Sequence, residues 1–319
     1  MARRVLVIVN DPGDPPGLLG DWLGAAGLQL DVAEPHSGAS LPLSVDGFDG
    51  LLVLGGSMGA EDDERAPWLP QVRQLLAAAV DAELPTLGVC LGAQLLAVAK
   101  GGRVEASPNG PEFGAQLVAK RANAATDPLF GPLPITPDVI QWHVDAITEL
   151  PPGAVLLANS PGAEVQAFRI GRMAWGIQFH IETTPAIVRR WAEEDVDVLA
   201  GYDVERLLAR SDAAHADVAE TWHPFADAWA RVVEHPQSVS PARPLRVSTA
   251  EPITDPAAIR AALAAEMQQA HQSRHSLGWP EPRKPSGPDL SGPDPSGPDP
   301  AGPDLSGPDL SGPDPFSAT

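Results

Sequence analysis

The chain has 319 residues, 43% of them hydrophobic, a net charge of −21 and a single cysteine. That is enough apolar material for one sizeable core or two small ones. No segment is basic, which excludes nucleic acid and anionic membranes as natural partners, and a lone cysteine excludes an internal disulfide and fits a reducing compartment.

The apolar run after Met1-Ala2-Arg3-Arg4 covers only residues 5–9, and none in the chain approaches the ~20 residues of a membrane helix. A soluble cytoplasmic protein is expected. Residues 5–9 are apolar throughout and predict a central parallel strand, buried on both faces. After a loop at 10–16, Leu18, Leu19, Trp22, Leu23 and Ala26 recur at helical spacing, and Gly27 stops the helix. Residues 28–33 alternate as a second strand. Residues 49–54 predict a third, ending in Gly55-Gly56-Ser57-Met58-Gly59. The acidic run 61–64 reads as a solvated loop ahead of a helix over 68–80. Strands alternating with helices at this spacing predict an α/β fold, a flavodoxin-like doubly wound sheet.

Residues 86–89 read as a short buried strand and 94–99 as the start of an apolar helix. Between them sits Gly88-Val89-Cys90-Leu91-Gly92, a G-x-C-x-G turn. A sharp strand-to-helix turn needs small neighbours, because its central residue is strained and its backbone approaches others closely. It lifts the Cys90 side chain out of the sheet and onto a helix N-terminus, where negative charge is favoured. A thiol there becomes the nucleophilic thiolate more readily. Most lone cysteines are small buried hydrophobes; the flanking glycines weigh against that here.

Beyond Gly101-Gly102 the pattern changes. Val104 and residues 115–119, 139–142, 155–158, 165–169 and 173–179 are short strand candidates, read as an antiparallel extension of the sheet. Thr184 opens a helix with Pro185 in its first turn, running to Val196. Residues 204–210 and 218–233 read as two helices, and Trp222, Phe225, Ala226, Trp229 and Val233 share one face. Residues 257–272 are one more helix candidate. From Ser286 to Pro315 a five-residue unit such as SGPDL or SGPDP repeats. Rich in Gly and Pro and without a basic residue, it cannot offset its ordering entropy by burial and is expected to be disordered. The expected division is an α/β domain at 1–195, a mostly helical extension at 196–285 and the disordered tail at 286–319.

The second chemical signal is Gly176-Ile177-Gln178-Phe179-His180-Ile181-Glu182. On a strand, residues two apart share a face, so a base and the carboxylate orienting it could reach one pocket together. A Cys nucleophile, a His base and an acidic third member follow the logic of catalytic triads. A single His at a strand end would more simply be structural; its partners argue otherwise.

With these residues in view, the chain resembles a class I, triad-type glutamine amidotransferase domain. GVCLGAQLLA resembles that family's nucleophile elbow and GIQFHIE its His–Glu strand. LGGSMGA at 54–60 resembles the glycine loop that supplies an oxyanion-hole amide. Pro111-Glu112-Phe113-Gly114, Gln141-Trp142-His143-Val144-Asp145 and Gln166-Ala167-Phe168 resemble the branch close to the amidotransferase part of guanylate synthetase. The similarity spans about residues 3–195. One departure is Ile181, where the family usually has proline.

The resemblance implies roles. Cys90 would attack the glutamine side-chain amide, and His180 would carry the proton to departing ammonia. Glu182 would orient His180. Backbone amides of Gly55, Gly56 and Leu91 would hold the oxyanion. Gln94 would contact the substrate, and His143 would line the glutamine pocket, although a Trp-His pair on a strand can also simply pack. No P-loop, G-x-G-x-x-G or metal-ligand spacing occurs, so no cofactor, metal or ATP-dependent synthetase domain is expected. Three readings stay open: a stand-alone glutaminase, with ammonia passed to a separate synthetase; a γ-glutamyl peptidase acting on a larger γ-glutamyl compound; and a non-catalytic binding module that kept the fold.

Overall fold

The structure, a computed structural model, describes residues 2–240. The helix expected at 257–272 and the pentapeptide tail lie outside those residues.

The apolar run near the N-terminus forms β1 (Arg4–Ile8). It pairs in parallel with β2 (Gln29–Ala33) on one side and β3 (Gly50–Val53) on the other. Val5 and Val7 point into one apolar layer, and Leu6 and Ile8 into the other. With both faces covered from Val5 to Ile8, those positions do not tolerate a polar side chain, and this explains the unbroken run. β4 (Thr86–Val89) pairs in parallel with β3 and with β12 (Ala174–Ile177). The sheet then turns antiparallel through β11 (Ala167–Ile170), β10 (Val155–Asn159) and β7 (Ala119–Lys120). The order is β2-β1-β3-β4-β12-β11-β10-β7.

The antiparallel part is less continuous than its sequence suggests. β5 (Arg103–Ala106) pairs only with β9 (Asp145–Glu149), and β6 (Glu112–Leu117) only with β8 (Asp138–His143). The β6–β8 ribbon leaves the sheet because helices claim its apolar face. Phe113, Ile140 and Trp142 form a separate cluster with Val188, Trp191 and Leu199. Val188 and Trp191 belong to α4 (Pro185–Glu194), capped by the Thr184 hydroxyl as its sequence predicts.

Helices cover both faces of the sheet. α1 (Gly17–Ala25) buries Leu19 and Leu23 against the Val5 and Val7 side. α2 (Leu69–Asp81) and α3 (Leu91–Ala99) cover the other side with Leu75, Leu76, Leu95 and Leu96. The two helices expected after residue 204 are one, α5 (Val204–Glu234), of 31 residues. The intervening stretch is polar but contains Ala213, Ala214 and Ala216, strong helix formers. Its Ser211 and His215 turn inward and bond locally, His215 Nδ1 donating to Ser211 O at 2.6 Å. Pro224 stands inside the helix, where it removes a backbone donor.

The apolar stripe of α5 lies in the same core as Val5, Leu52 and Trp175. Trp222, Phe225 and Trp229 are at most 1% exposed, and Trp222 Nε1 donates to Asp138 O at 2.8 Å. The helical C-terminal part therefore completes the layer that α1 begins. Among the described residues no helix is long and apolar enough to cross a membrane.

This packing sets an expected outcome. Trp229→Ala should cost about 3–5 kcal/mol by chemical denaturation, the range for emptying a buried indole site. A chain ended at residue 203 should lose its cooperative melt, because one face of the sheet would then be open to water.

Candidate active site

The turn between β4 and α3 is as sharp as its glycines imply. Cys90 has φ 50° and ψ −109°, a conformation that an L residue rarely holds. A Cβ on Gly92 would collide with the backbone carbonyl of Val53, and one on Gly88 would lie 2.5 Å from Gly92 O. Only glycine lets α3 approach β3 and β4 this closely. The Cys90 amide donates to Ile177 O at 2.8 Å, tying the turn to the end of β12.

β12 stops at Ile177, so His180 and Glu182 are not on a continuous strand. His180 instead makes an isolated antiparallel bridge to Ile140 of β8. The chain bends there, and the Glu182 carboxylate turns back to accept from His180 Nδ1 at 2.6 Å. The Ile181 amide donates to the second Glu182 oxygen at 2.9 Å. A proline at 181 would have no such donor, so the departure from the family pattern adds a bond that holds the carboxylate. His180 and Glu182 are each 1% exposed and Cys90 6%.

With Nδ1 engaged by Glu182, the other nitrogen, Nε2, is left for Cys90, and it has no closed hydrogen bond. Burial works against a charged imidazole here. The Glu182 carboxylate and the Cys90 side chain facing the ring outweigh it and hold the His180 pKa well above the ordinary histidine range. The ring also packs on the Trp191 indole, centroids 4.6 Å apart, a surface that favours a cation over its face.

Gly55 and Gly56 follow β3 beside this pair. His180 Cε1 lies 3.3 Å from the point where a Gly55 Cβ would stand, and Leu91 Cδ2 2.9 Å from the Gly56 equivalent. Among the described residues the amides of Gly55, Gly56 and Leu91 donate to no protein acceptor. They are free for a ligand, Leu91 at the N-terminus of α3 and the two glycines in the loop after β3 that faces it. Gln94 is buried, not solvent-facing. Its amide nitrogen donates to Asp145 O at 3.1 Å and to Gln178 Oε1 at 3.2 Å. His143 Nδ1 donates to the same Asp145 carbonyl at 2.9 Å. All eight positions singled out from the sequence thus gather around one turn. Among the described residues no group of three or more His, Cys, Asp or Glu could hold a metal.

The family model for class I glutamine amidotransferases matches residues 21–189. The chain belongs to the class I glutamine amidotransferase family. The glutamine amidotransferase-like protein YfeJ of Salmonella typhimurium is 28% identical over 208 residues, 64% of this chain and 86% of that one. Gamma-glutamyl peptidase 4 of Arabidopsis thaliana is 28% identical over 59% of this chain and 72% of its own length. A GMP synthase of Thermomicrobium roseum is 36% identical, but over 42% of this chain and only 23% of that enzyme. Among solved structures, a glutamine amidotransferase of Thermotoga maritima superposes with a TM-score of 0.65 at 29% identity. That match covers 72% of this chain and 99% of the other.

Several residues of this candidate site carried no distinct signal in the sequence. Gln178 lies inside the quoted His–Glu motif, and its amide nitrogen is 3.7 Å from Cys90 Sγ. The Trp142 carbonyl is 3.8 Å from the same sulfur. Glu112, at the start of β6, accepts from Ser160 Oγ at 2.9 Å and Gln166 Nε2 at 2.7 Å, with His143 Nε2 at 3.2 Å. This buried cluster joins the three separate family-like stretches at residues 111–114, 141–145 and 166–168. Asp14 reaches Gly55 from the loop after β1. Only the fold could reveal these, since each depends on segments far apart in the chain.

α5 also touches the site. His215 Nε2 accepts from Thr183 Oγ1 at 3.3 Å, one residue past Glu182. Burial lowers the His215 pKa, with the Ser211 carbonyl opposing, so folding favours the neutral ring. The contribution of His215 is therefore present above its unfolded pKa, near 6.5, and is lost as pH falls through its lower folded value. In denaturation experiments at pH 7.5 and 5, the stability gap between the natural protein and His215→Asn should narrow at the lower pH. Gly92→Ala should leave a folded protein at best 1–3 kcal/mol weaker, the usual range of overpacking, and should slow Cys90 alkylation by displacing the turn. Wild-type alkylation in that variant would mean that the close approach is not what shapes the elbow.

Proposed function

We propose that the protein hydrolyses the side-chain amide of glutamine through a γ-glutamyl thioester on Cys90, releasing glutamate and ammonia. The observation that carries this reading is a cysteine on a strained turn at a helix N-terminus, facing a buried histidine bonded to a glutamate. Cys90 Sγ attacks the amide carbon as its proton passes to His180. The amides of Leu91, Gly55 and Gly56 hold the tetrahedral oxyanion, and preformed donors of this kind lower the barrier strongly. His180 Nε2 then gives the proton to departing ammonia, and the thioester remains. Water attacks next, with His180 again as base, and the thiolate leaves to free glutamate. Glu182 orients the imidazole and balances its charge in both half-reactions. Gln94 and His143, joined through the Asp145 carbonyl, hold the substrate end of the pocket.

Membership of the family and the Salmonella and Thermotoga relatives support this reading. The Arabidopsis peptidase supports a second: the same residues acting on a larger γ-glutamyl compound. The synthase relatives support transfer of the ammonia to a separate synthetase subunit. The chemistry as written uses no cofactor, and its free thiol suits a cytoplasmic setting.

The deciding experiment measures glutamate release from glutamine and from a γ-glutamyl anilide. Cys90→Ala should abolish both while leaving the fold intact. Glu182→Gln should retain more kcat/KM than His180→Ala, because the orienting acid generally costs less than the base. The double variant should be scarcely worse than His180→Ala alone. Multiplying losses would mean that the two side chains act independently and would sink the assignment. Turnover of the anilide alone would select the peptidase reading.

A further inference from the structure

The loop between β1 and α1 carries a carboxyl group that the reaction above does not use. Asp14 is 8% exposed. Among the described residues its backbone N–H bonds to Asp11 O at 3.0 Å, but its side-chain oxygens have no hydrogen-bond partner. Asp14 Oδ1 lies 2.5 Å from the point where a Gly55 Cβ would stand, the same point that His180 Cε1 approaches to 3.3 Å. The carboxyl and the edge of the imidazole therefore converge on Gly55.

The loop is fastened in that position. Trp191 Nε1, from the ring packed at a tilt against His180, donates to Gly13 O at 2.9 Å. The Arg190 guanidinium donates to Pro12 O at 3.0 Å. The Leu18 amide donates to Glu182 O at 2.8 Å, and Gly17 packs so closely on that carbonyl that any side chain there would collide with it. Asp11 accepts from the Gly13 amide at 2.8 Å and from Ser57 Oγ at 2.8 Å, pinning the loop to the glycine turn after β3. Held this firmly, the carboxyl keeps its acceptors clear of protein donors among the described residues.

The charged groups facing Asp14 come from three places. They are His180 and Glu182 after β12, Asp11 on its own loop, and Glu194 and Arg190 on α4. Burial raises the Asp14 pKa most, Glu182, Asp11 and Glu194 raise it further, and His180 pulls it down; the result is about 7. Such an attraction is mutual. If the imidazolium favours ionised Asp14, ionised Asp14 favours the imidazolium by the same free energy.

We propose that Asp14 is a positioning residue of the His180 imidazole, whose carboxylate tightens the hold of His180 on its proton and so raises the share of Cys90 present as thiolate. The proposal rests on the Cys90–His180 pairing argued above, but its test needs no substrate. Iodoacetamide reacts with the thiolate, and Cys90 is the only cysteine in the chain. The alkylation rate of the full-length protein against pH therefore reads the pair directly, and a failure of glutamine hydrolysis would leave that readout intact.

In the natural protein the rate should climb through a step near pH 7, where Asp14 ionises. In Asp14→Asn that step should vanish. Alkylation should be about three- to tenfold slower at pH 8, the effect of up to one pKa unit from a neighbouring charge, and near the natural rate at pH 5.5. If Asp14→Asn does not fold, Asp14→Ser gives the same reading. Superimposable profiles for the natural and substituted proteins would overturn the proposal. So would faster alkylation of the variant at pH 8, which would mean that Asp14 repels the thiolate more than it holds the imidazolium.

Discussion

The structure depends on the close approach of α3 to the end of β3. Gly92 lies so near the Val53 carbonyl that no side chain fits, and Gly88 lies equally tightly against the turn. This contact forces Cys90 into its positive-φ conformation, a strain of order 1–3 kcal/mol that the surrounding packing must sustain. The core on that side, with Leu51, Val53, Leu95 and Leu96 fully buried, supplies that support. Once the turn is fixed, the free amides of Leu91 and the Gly55 loop, the Cys90 sulfur and the end of β12 are brought into register by the parallel pairing of β3, β4 and β12. The site thus lies where a doubly wound sheet ordinarily places one, beyond the carboxyl ends of its central strands.

Three buried acidic groups show how differently such a fold can use charge. Asp127 accepts from the Leu129 and Phe130 amides, from Trp175 Nε1 and from Arg169. Its acceptors are satisfied, so the group fastens β11 and β12 to the loop before β8 and does no more. Glu182 is just as buried, but one of its oxygens faces an imidazole whose other nitrogen remains open. Asp14 goes further: among the described residues its carboxylate has no hydrogen-bond partner, and burial lifts its pKa.

α5 ties this chemistry to the remainder of the protein. Its middle contributes Trp222, Phe225 and Trp229 to the core beneath β1, β3 and β12. One helical stretch earlier, His215 reaches Thr183 beside Glu182. The helix therefore supports the His180–Glu182 bend from behind, and the β6–β8 ribbon, drawn off the sheet by the Trp142 and Trp191 cluster, closes it from the side. The burial of the site is a product of elements that the parallel sheet alone would not supply.

The sequence by itself determined the parallel half of the sheet, because a strand covered on both faces must be apolar throughout and residues 5–9 and 50–53 are. It also determined the elbow, since G-x-C-x-G states a steric requirement that only small residues meet, and the pairing of His180 with Glu182, which lie two residues apart. It did not determine that this pair would meet across a bend after β12 and not along a strand, because the bend is imposed by the His180 bridge to Ile140 of a distant segment. Nor did it reveal that the helical signals on either side of residues 211–217 belong to one helix: the polar stretch reads as a break until its inward-facing Ser211 and His215 find partners. The contacts of Asp14, Gln178 and Glu112 with the site were decided only by the tertiary structure. Each of those side chains gains its role from a neighbour dozens of residues away, and local spacing carries no record of such a neighbour.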